Sequence, residues 1–397
     1  MFLNLQRCFT LHGNTMKFVS PLLKRIVYPC LSGAGCFRSA KRSGLAVVTY
    51  HGVLSQRYDP IDPGLDGSLV TADTFRQQLR LLKSNYNVIS PEEMLSWCSN
   101  EAELPPRAIL LTCDDGLLNN LTEMLPILQE EGLRCLFFVT GASGGEAPTM
   151  LWYEDLLLLL LRAPAGKFQL SAGDLEITGI LDSRKNRHAL WWSMVERLSK
   201  IDAEGREHFL CKAHAFFGIR RSLEHYESIY PHFRRRFGLL MLAELKQLAA
   251  AGMSIGAHTL SHPVLSQQPP ELAWAEIVES RALIESITGK KVWAFAYPFG
   301  DSSSVSAQVI AMVKEAGFAA AFVNIGGGLG VDLPLQFIPR VHVNADMGLA
   351  EFEAHVSGFY EVLQRTLGRT AKNRLALDFS SSHAHHIRDS VPKQKTA

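Results

Sequence analysis

The 397-residue chain has no long uninterrupted apolar run, no closely spaced cysteine pair and almost no net charge. Each shortage excludes something. A membrane-spanning helix needs roughly 20 apolar residues in succession. The apolar patches of residues 1–31 are interrupted by Lys17, Lys24 and Arg25, so no spanning helix is expected there. Nor does that stretch assemble the basic start, clean apolar centre and small-residue cleavage site of a secretory signal. Seven cysteines (Cys8, Cys30, Cys36, Cys98, Cys113, Cys135, Cys211) form no close pair, and their odd number leaves one over. That argues against a disulfide framework and for a reducing compartment, so the cytoplasm is the expected location. Forty basic side chains against thirty-nine acidic ones create no field that would steer the protein to nucleic acid. No nucleic-acid partner is expected, and recognition falls to a local site.

What is present is enough apolar residue, 47%, to bury a substantial core. Short apolar runs, each followed after a loop by helical spacing, are the pattern of a parallel α/β architecture. Leu45–Tyr50, Ile109–Cys113, Cys135–Val139, Ser254–Ala257, Trp293–Tyr297 and Ala319–Val323 read as strands. Leu272–Ile287 and Val305–Ala316 read as helices, the second stopped by Gly317. Ser90-Pro91-Glu92-Glu93 reads as a helix start, with a capping serine, a proline in the first turn and a glutamate at the third position. Residues 148–237 differ: Leu156–Leu161 is apolar, Arg, His and aromatic residues abound, and no alternating β pattern stands out. A helical insertion is expected. The division that follows is an N-terminal segment over 1–44, a main domain over 45–365 carrying the insertion, and a solvated tail over 366–397 rich in Ser, His and Lys. Phe18–Leu31 mixes basic residues with Phe, Leu, Ile and Val, which suits either a packed terminal helix or one lying on a membrane surface.

Three motifs carry chemistry. Thr112-Cys113-Asp114-Asp115-Gly116 follows a predicted strand, so two carboxylates arrive where a parallel strand ends, the edge at which β/α proteins place their sites. Asp-Asp-Gly also suits an ordinary surface turn. His258-Thr-Leu-Ser-His262 spaces two imidazoles four residues apart, and on a helix they would share one face within reach of a single cation. With Asp115 they make a two-imidazole, one-carboxylate set that leaves room for water and a substrate oxygen, which points to metal-assisted hydrolysis. Asp114, left free, is placed to take a proton. Tyr297-Pro298-Phe299-Gly300 ends another strand with a rigid turn whose backbone N–H suits a developing oxyanion.

In this order on alternating strands and helices, Thr112–Gly116, His258–His262 and Phe295–Gly300 resemble the polysaccharide deacetylases of the NodB-homology type, carbohydrate esterase family four. Tyr50-His51-Gly52 and the Ser90 helix start resemble the bacterial members associated with exopolysaccharide. The resemblance spans about Leu45 to Leu363. It implies a distorted (β/α)7-type barrel and a hydrolase that removes N-acetyl groups from N-acetylhexosamine units of a polysaccharide or glycolipid. It further implies Asp114 as general base, Asp115, His258 and His262 as ligands of a divalent metal, commonly zinc, and the Tyr297-Pro298-Phe299 turn as the oxyanion site, with the N–H of Phe299 facing the oxyanion. O-acetyl ester hydrolysis, another small-amide deacylation or an inactive carbohydrate-binding relative stand as alternatives. The arginine that orients the base in the family has its matching position at Ala296, so another group must hold Asp114. The general acid is sought among His342, in Pro339-Arg340-Val341-His342-Val343, and His51 at the end of the first strand.

Overall fold

The structure is a computed structural model that describes residues 22–39, 44–55, 58–173, 175–326 and 334–366. Its centre is a parallel sheet of nine short strands: β1 (Ala46–Tyr50), β2 (Asn87–Ile89), β3 (Ala108–Cys113), β4 (Leu136–Val139), β5 (Ser254–Ala257), β6 (Ala294–Ala296), β7 (Ala320–Val323), β8 (Ile338–Pro339) and β9 (Val341–His342). Their order is β8-β7-β6-β5-β4-β3-β1-β9, with β2 also paired to β3. The two ends of that order, β8 and β9, are separated in sequence by Arg340 alone. One segment, 338–342, therefore pairs with β7 through Ile338 and with β1 through Val341 and closes the sheet into a nearly complete barrel.

Residue parity explains how the barrel is filled. Side chains alternate across a strand. Ala46, Val48, Ile109, Leu111, Phe137, Phe295 and Ala321 pack outward against helix residues such as Phe75, Leu79 and Leu248. The opposite set, including Val47, Leu110, Phe138, Ala294 and Phe322, packs strand against strand as the barrel interior. Met94 joins that inner set; the helix Pro91–Cys98 that carries it starts with the expected capping box. Parity also assigns Asp114, His258, Asn324, Arg340 and His342 to the interior. Tyr297 falls outside.

Gly256 faces inward because nothing larger fits: a Cβ there would lie 2.6 Å from the Phe138 ring. The expected helices are observed at Pro270–Thr288 and Ala307–Glu315, and the six cysteines among the described residues are free.

The insertion leaves and rejoins the barrel at one point, where Leu239 N donates to Thr149 O at 2.8 Å and Met150 bridges to Gly238. It is mostly helical but also contains an antiparallel hairpin, Lys167–Ala172 with Leu175–Ile180. Its strands bury Leu170, Ala172 and Ile177 and expose the residues between them more, an alternation too short to stand out from the sequence. Leu156–Leu160, Trp191, Phe209 and Phe233 build a second core that reaches the barrel at Leu54, Leu65 and Leu117. At the other end of the chain, Tyr28 and Phe37 pack against Ala354, and Lys24 pairs with Glu351 at 3.1 Å. The described part of the Phe18–Leu31 stretch is thus a packed terminal helix, with Leu22 and Ile26 left exposed; Phe18–Pro21 and the tail after 366 lie outside the described residues. Among the described residues no helix is long and apolar enough to cross a membrane.

Candidate active site

All the interior side chains named above sit at the carboxyl ends of the barrel strands, and there they meet. Asp115 leaves β3 in a left-handed conformation, φ 77°, followed by Gly116 at φ 76°. A Cβ on Gly116 would lie 2.7 Å from Ser143 Oγ, so both conformation and space require glycine. This turn brings Asp115 Oδ1 to 3.5 Å from His258 Nε2 and 3.4 Å from His262 Nε2. One ligand atom from each of the three residues lies within 4.8 Å of the others.

The histidines converge without a helix. Thr259 (φ 62°) and His262 (φ 55°) are left-handed, so the segment forms a tight turn rather than the expected helical face. Three bonds hold it: His262 N donates to Thr259 Oγ1 at 3.1 Å, and Leu260 N and Ser261 N donate to Glu276 Oε2 at 2.8 and 2.9 Å. The insertion braces the turn from outside, with Trp152 Nε1 donating to His262 O at 3.2 Å and Arg206 Nη2 to Ser261 Oγ at 2.6 Å. Left-handed non-glycine residues cost energy and concentrate where surrounding structure enforces them. Four of them, Asp115, Thr259, His262 and Phe299, are in this site.

This donor set suits a divalent cation. His258 Nδ1 lies 2.7 Å from Ala296 O, which places the proton on Nδ1 and leaves the Nε2 lone pair facing Asp115. Asp115 Oδ1 is buried without a hydrogen bond among the described residues, an expense that a cation would remove. Burial pushes the Asp115 carboxyl upward, but His51, His258 and His262 outweigh it and hold the group well below the usual carboxylate range. Burial, with His258 beside it, lowers His262, so its ring stays neutral as a ligand must.

Asp114 is gripped by Arg340. Arg340 Nη1 and Nη2 donate to Asp114 Oδ1 and Oδ2 at 2.7 and 2.6 Å, and both residues are fully buried. Burial raises the Asp114 carboxyl; the Arg340 guanidinium, with His258, outweighs that and keeps it ionised below its ordinary range. The group that holds Asp114, absent at Ala296, is thus Arg340 of the barrel-closing segment. The sequence held a signal for it: a charged residue within the apolar run Phe337–Val343, on the same strand face as His342, has to be buried and therefore paired.

The two candidate acids separate. His51 lines the cleft, with Nε2 3.9 Å from Asp115 Oδ2. His342 stands behind it, ring centroids 5.0 Å apart, and burial together with His51 lowers its pKa far enough to keep it neutral. The oxyanion turn separates too. Phe299 lines the cleft with φ 60°. Tyr297 points outward, packs on Phe295 and donates its hydroxyl to Gln336 O at 2.8 Å, so its side chain does not reach the site.

The polysaccharide deacetylase family model matches residues 211–321, a stretch that includes both histidines and Phe295–Gly300. That stretch is similar to a polysaccharide deacetylase domain. Among curated relatives, the Bacillus subtilis (strain 168) protein YxkH, which bears the polysaccharide deacetylase name, is 22% identical over 113 residues. That match covers 28% of this chain and 39% of YxkH. Two solved structures are similar: the Streptococcus pyogenes deacetylase PplD in complex with acetate (17% identity, 79% of this chain and 97% of that one, TM-score 0.49) and IcaB from Ammonifex degensii (18% identity, 80% and 98%, TM-score 0.48). A cleft reaches from Asp114, His258 and His262 to the insertion.

Proposed function

We propose that the protein is a metal-dependent hydrolase that removes N-acetyl groups from N-acetylhexosamine units of a polysaccharide or glycolipid. The observation that carries this is the pairing of the Asp115, His258 and His262 donor set with a separate carboxylate, Asp114, whose orientation is locked by Arg340. Zinc is the cation that best fits two imidazoles and one carboxylate. Bound there, it supplies Lewis acidity.

The chain's own residues do the rest. Asp114 accepts a proton from the attacking water as its oxygen adds to the acetyl carbon. The Phe299 N–H, at a left-handed turn beside the cleft, faces the oxygen that becomes negative. His51 protonates the nitrogen as the C–N bond breaks, which yields acetate and a free amine. Acetate release from N-acetylglucosamine oligomers by the zinc-loaded protein, run beside Asp114→Asn and His51→Ala, tests this. Release by wild type with losses of at least a hundredfold in both variants supports the assignment. Undiminished release in Asp114→Asn removes its base.

A further inference from the structure

Within the half of the cleft built by the insertion, Tyr153 packs against the reacting groups, its ring centroid 5.3 Å from His262 and 6.0 Å from Phe299, and the remainder has no role in that chemistry. Tyr153 and Glu154 reach this half from the first turn of helix Trp152–Arg162, and Trp191 and Trp192 from helix Arg184–Leu198. Glu154 is 7% exposed, and its Oε2 has no hydrogen-bond partner among the described residues. Asn324, which also lines the cleft at the end of β7, leaves its Oδ1 unpaired in the same way. Buried polar groups are generally paired, and these two, which line one cleft, are placed for a ligand's hydroxyls to pair them. Beside them, the Trp192 ring is half-buried and lies 4.5 Å from Trp191, whose N–H is already taken by Tyr153 O at 2.7 Å.

This wall is anchored. Arg184 and His188, on the tryptophan helix, hold Asp62 of the barrel side at 2.8 and 3.0 Å. His188 precedes Trp191 and Trp192 by three and four residues, so anchor and indoles share a helix face.

The ligand such a wall fits has an apolar face and a polar edge. A pyranose ring has both: axial C–H bonds that lie on an indole and hydroxyls around the rim. A lipid tail would cover the indoles and leave Glu154 and Asn324 unpaired. An anionic sugar would bring its charge to a cleft with no lysine or arginine among its described lining to pair it.

We propose that the insertion is the sugar-reading half of the active site, with Trp192, backed by the buried Trp191, stacking a neutral hexosamine ring while Glu154 and Asn324 hydrogen-bond its hydroxyls. The proposal rests on the deacetylation reading and assigns it a substrate-selecting surface. Burial, with Asp115 and Asp66 nearby, raises the Glu154 carboxyl well above its ordinary range, which adds a donor to its acceptor capacity.

The test is calorimetric binding of N-acetylglucosamine oligomers to the full-length, chelator-treated protein, with acetate release by the zinc-loaded protein measured in parallel. Trp192→Ala and Glu154→Leu each weaken oligomer binding tenfold or more, Trp192→Phe and Glu154→Gln recover most of it, and a galacturonate oligomer fails to bind. The proposal is overturned if wild type binds no oligomer, if the galacturonate binds equally, or if folded Trp192→Ala and Glu154→Leu bind like wild type. Acetate release with an oligomer KM unmoved by Trp192→Ala removes the subsite alone. Oligomer binding that depends on Trp192 without any acetate release removes the deacetylation reading and leaves the subsite.

Discussion

Replacing Arg340 is the perturbation whose consequences the structure makes most specific. Arg340 and Asp114 are both fully buried and joined by two bonds. Removing one partner of a buried pair leaves the other charge uncompensated, at a cost of about 3–5 kcal/mol. Arg340→Ala therefore lowers stability by that order and shifts the midpoint of thermal or urea unfolding accordingly. Arg340→Lys is the sharper probe. It keeps a positive charge in place but has no planar fork, so it cannot hold both carboxylate oxygens. The chain stays folded while Asp114 gains freedom to rotate. A reacting group misplaced by about 1 Å can cost on the order of a hundredfold in rate, equivalent to about 2.7 kcal/mol of barrier. We expect kcat for acetate release to fall by that order with KM little changed. The pH profile should move as well. In wild type, Arg340 outweighs the burial that would otherwise raise Asp114. Weakening the pair raises the carboxyl's pKa, so the acid limb of kcat/KM shifts to higher pH. An Arg340→Lys protein with wild-type kcat and an unshifted acid limb would refute the positioning argument.

Three further expectations follow from separate features. Tyr297→Phe removes the hydroxyl bonded to Gln336 O; it should cost about 1 kcal/mol in unfolding free energy and leave kcat unchanged, because the side chain faces away from the cleft. Within the insertion, Asp155 is buried between His214, Arg221 and Tyr226. Burial raises its carboxyl, but His214 and Arg221 outweigh that, and its folded pKa lies below the ordinary value. Its stabilising contribution is then present above the unfolded pKa of about 4 and is lost as pH falls through the lower folded value. Acid unfolding of Asp155→Asn followed by circular dichroism should show a weaker dependence on pH below about 4 than wild type. Asp115→Asn and His258→Ala should each reduce bound zinc, measured by elemental analysis after dialysis, to well below one ion per chain.

The strands were legible because a parallel sheet covered on both faces is apolar throughout, and β5 was read to the residue. Parity within those strands carries more than was first taken from it. It places Asp114 and His258 inside and turns Tyr297 outward; Phe299, of the same parity as Tyr297, reaches the cleft through its left-handed turn at φ 60°. Three features depended on distant partners. The convergence of His258 and His262 relies on Thr259 and on Glu276, fourteen residues beyond His262, rather than on helical spacing. Arg340 meets Asp114 only because residues 338–342 close the barrel, a pairing across more than 200 residues. The insertion's hairpin buries alternate residues over too few positions to stand out, and the insertion's contribution to the cleft comes from Tyr153, Glu154, Trp191 and Trp192 on two helices, which no local motif marks.

The most direct test of the central claim is acetate released from N-acetylglucosamine oligomers by one preparation of the wild-type protein, measured as isolated, after chelation and after zinc is restored. Release that disappears on chelation and returns with zinc is the result expected. Release that persists undiminished in the chelated protein, or acetate that never appears although zinc is bound, would contradict the account.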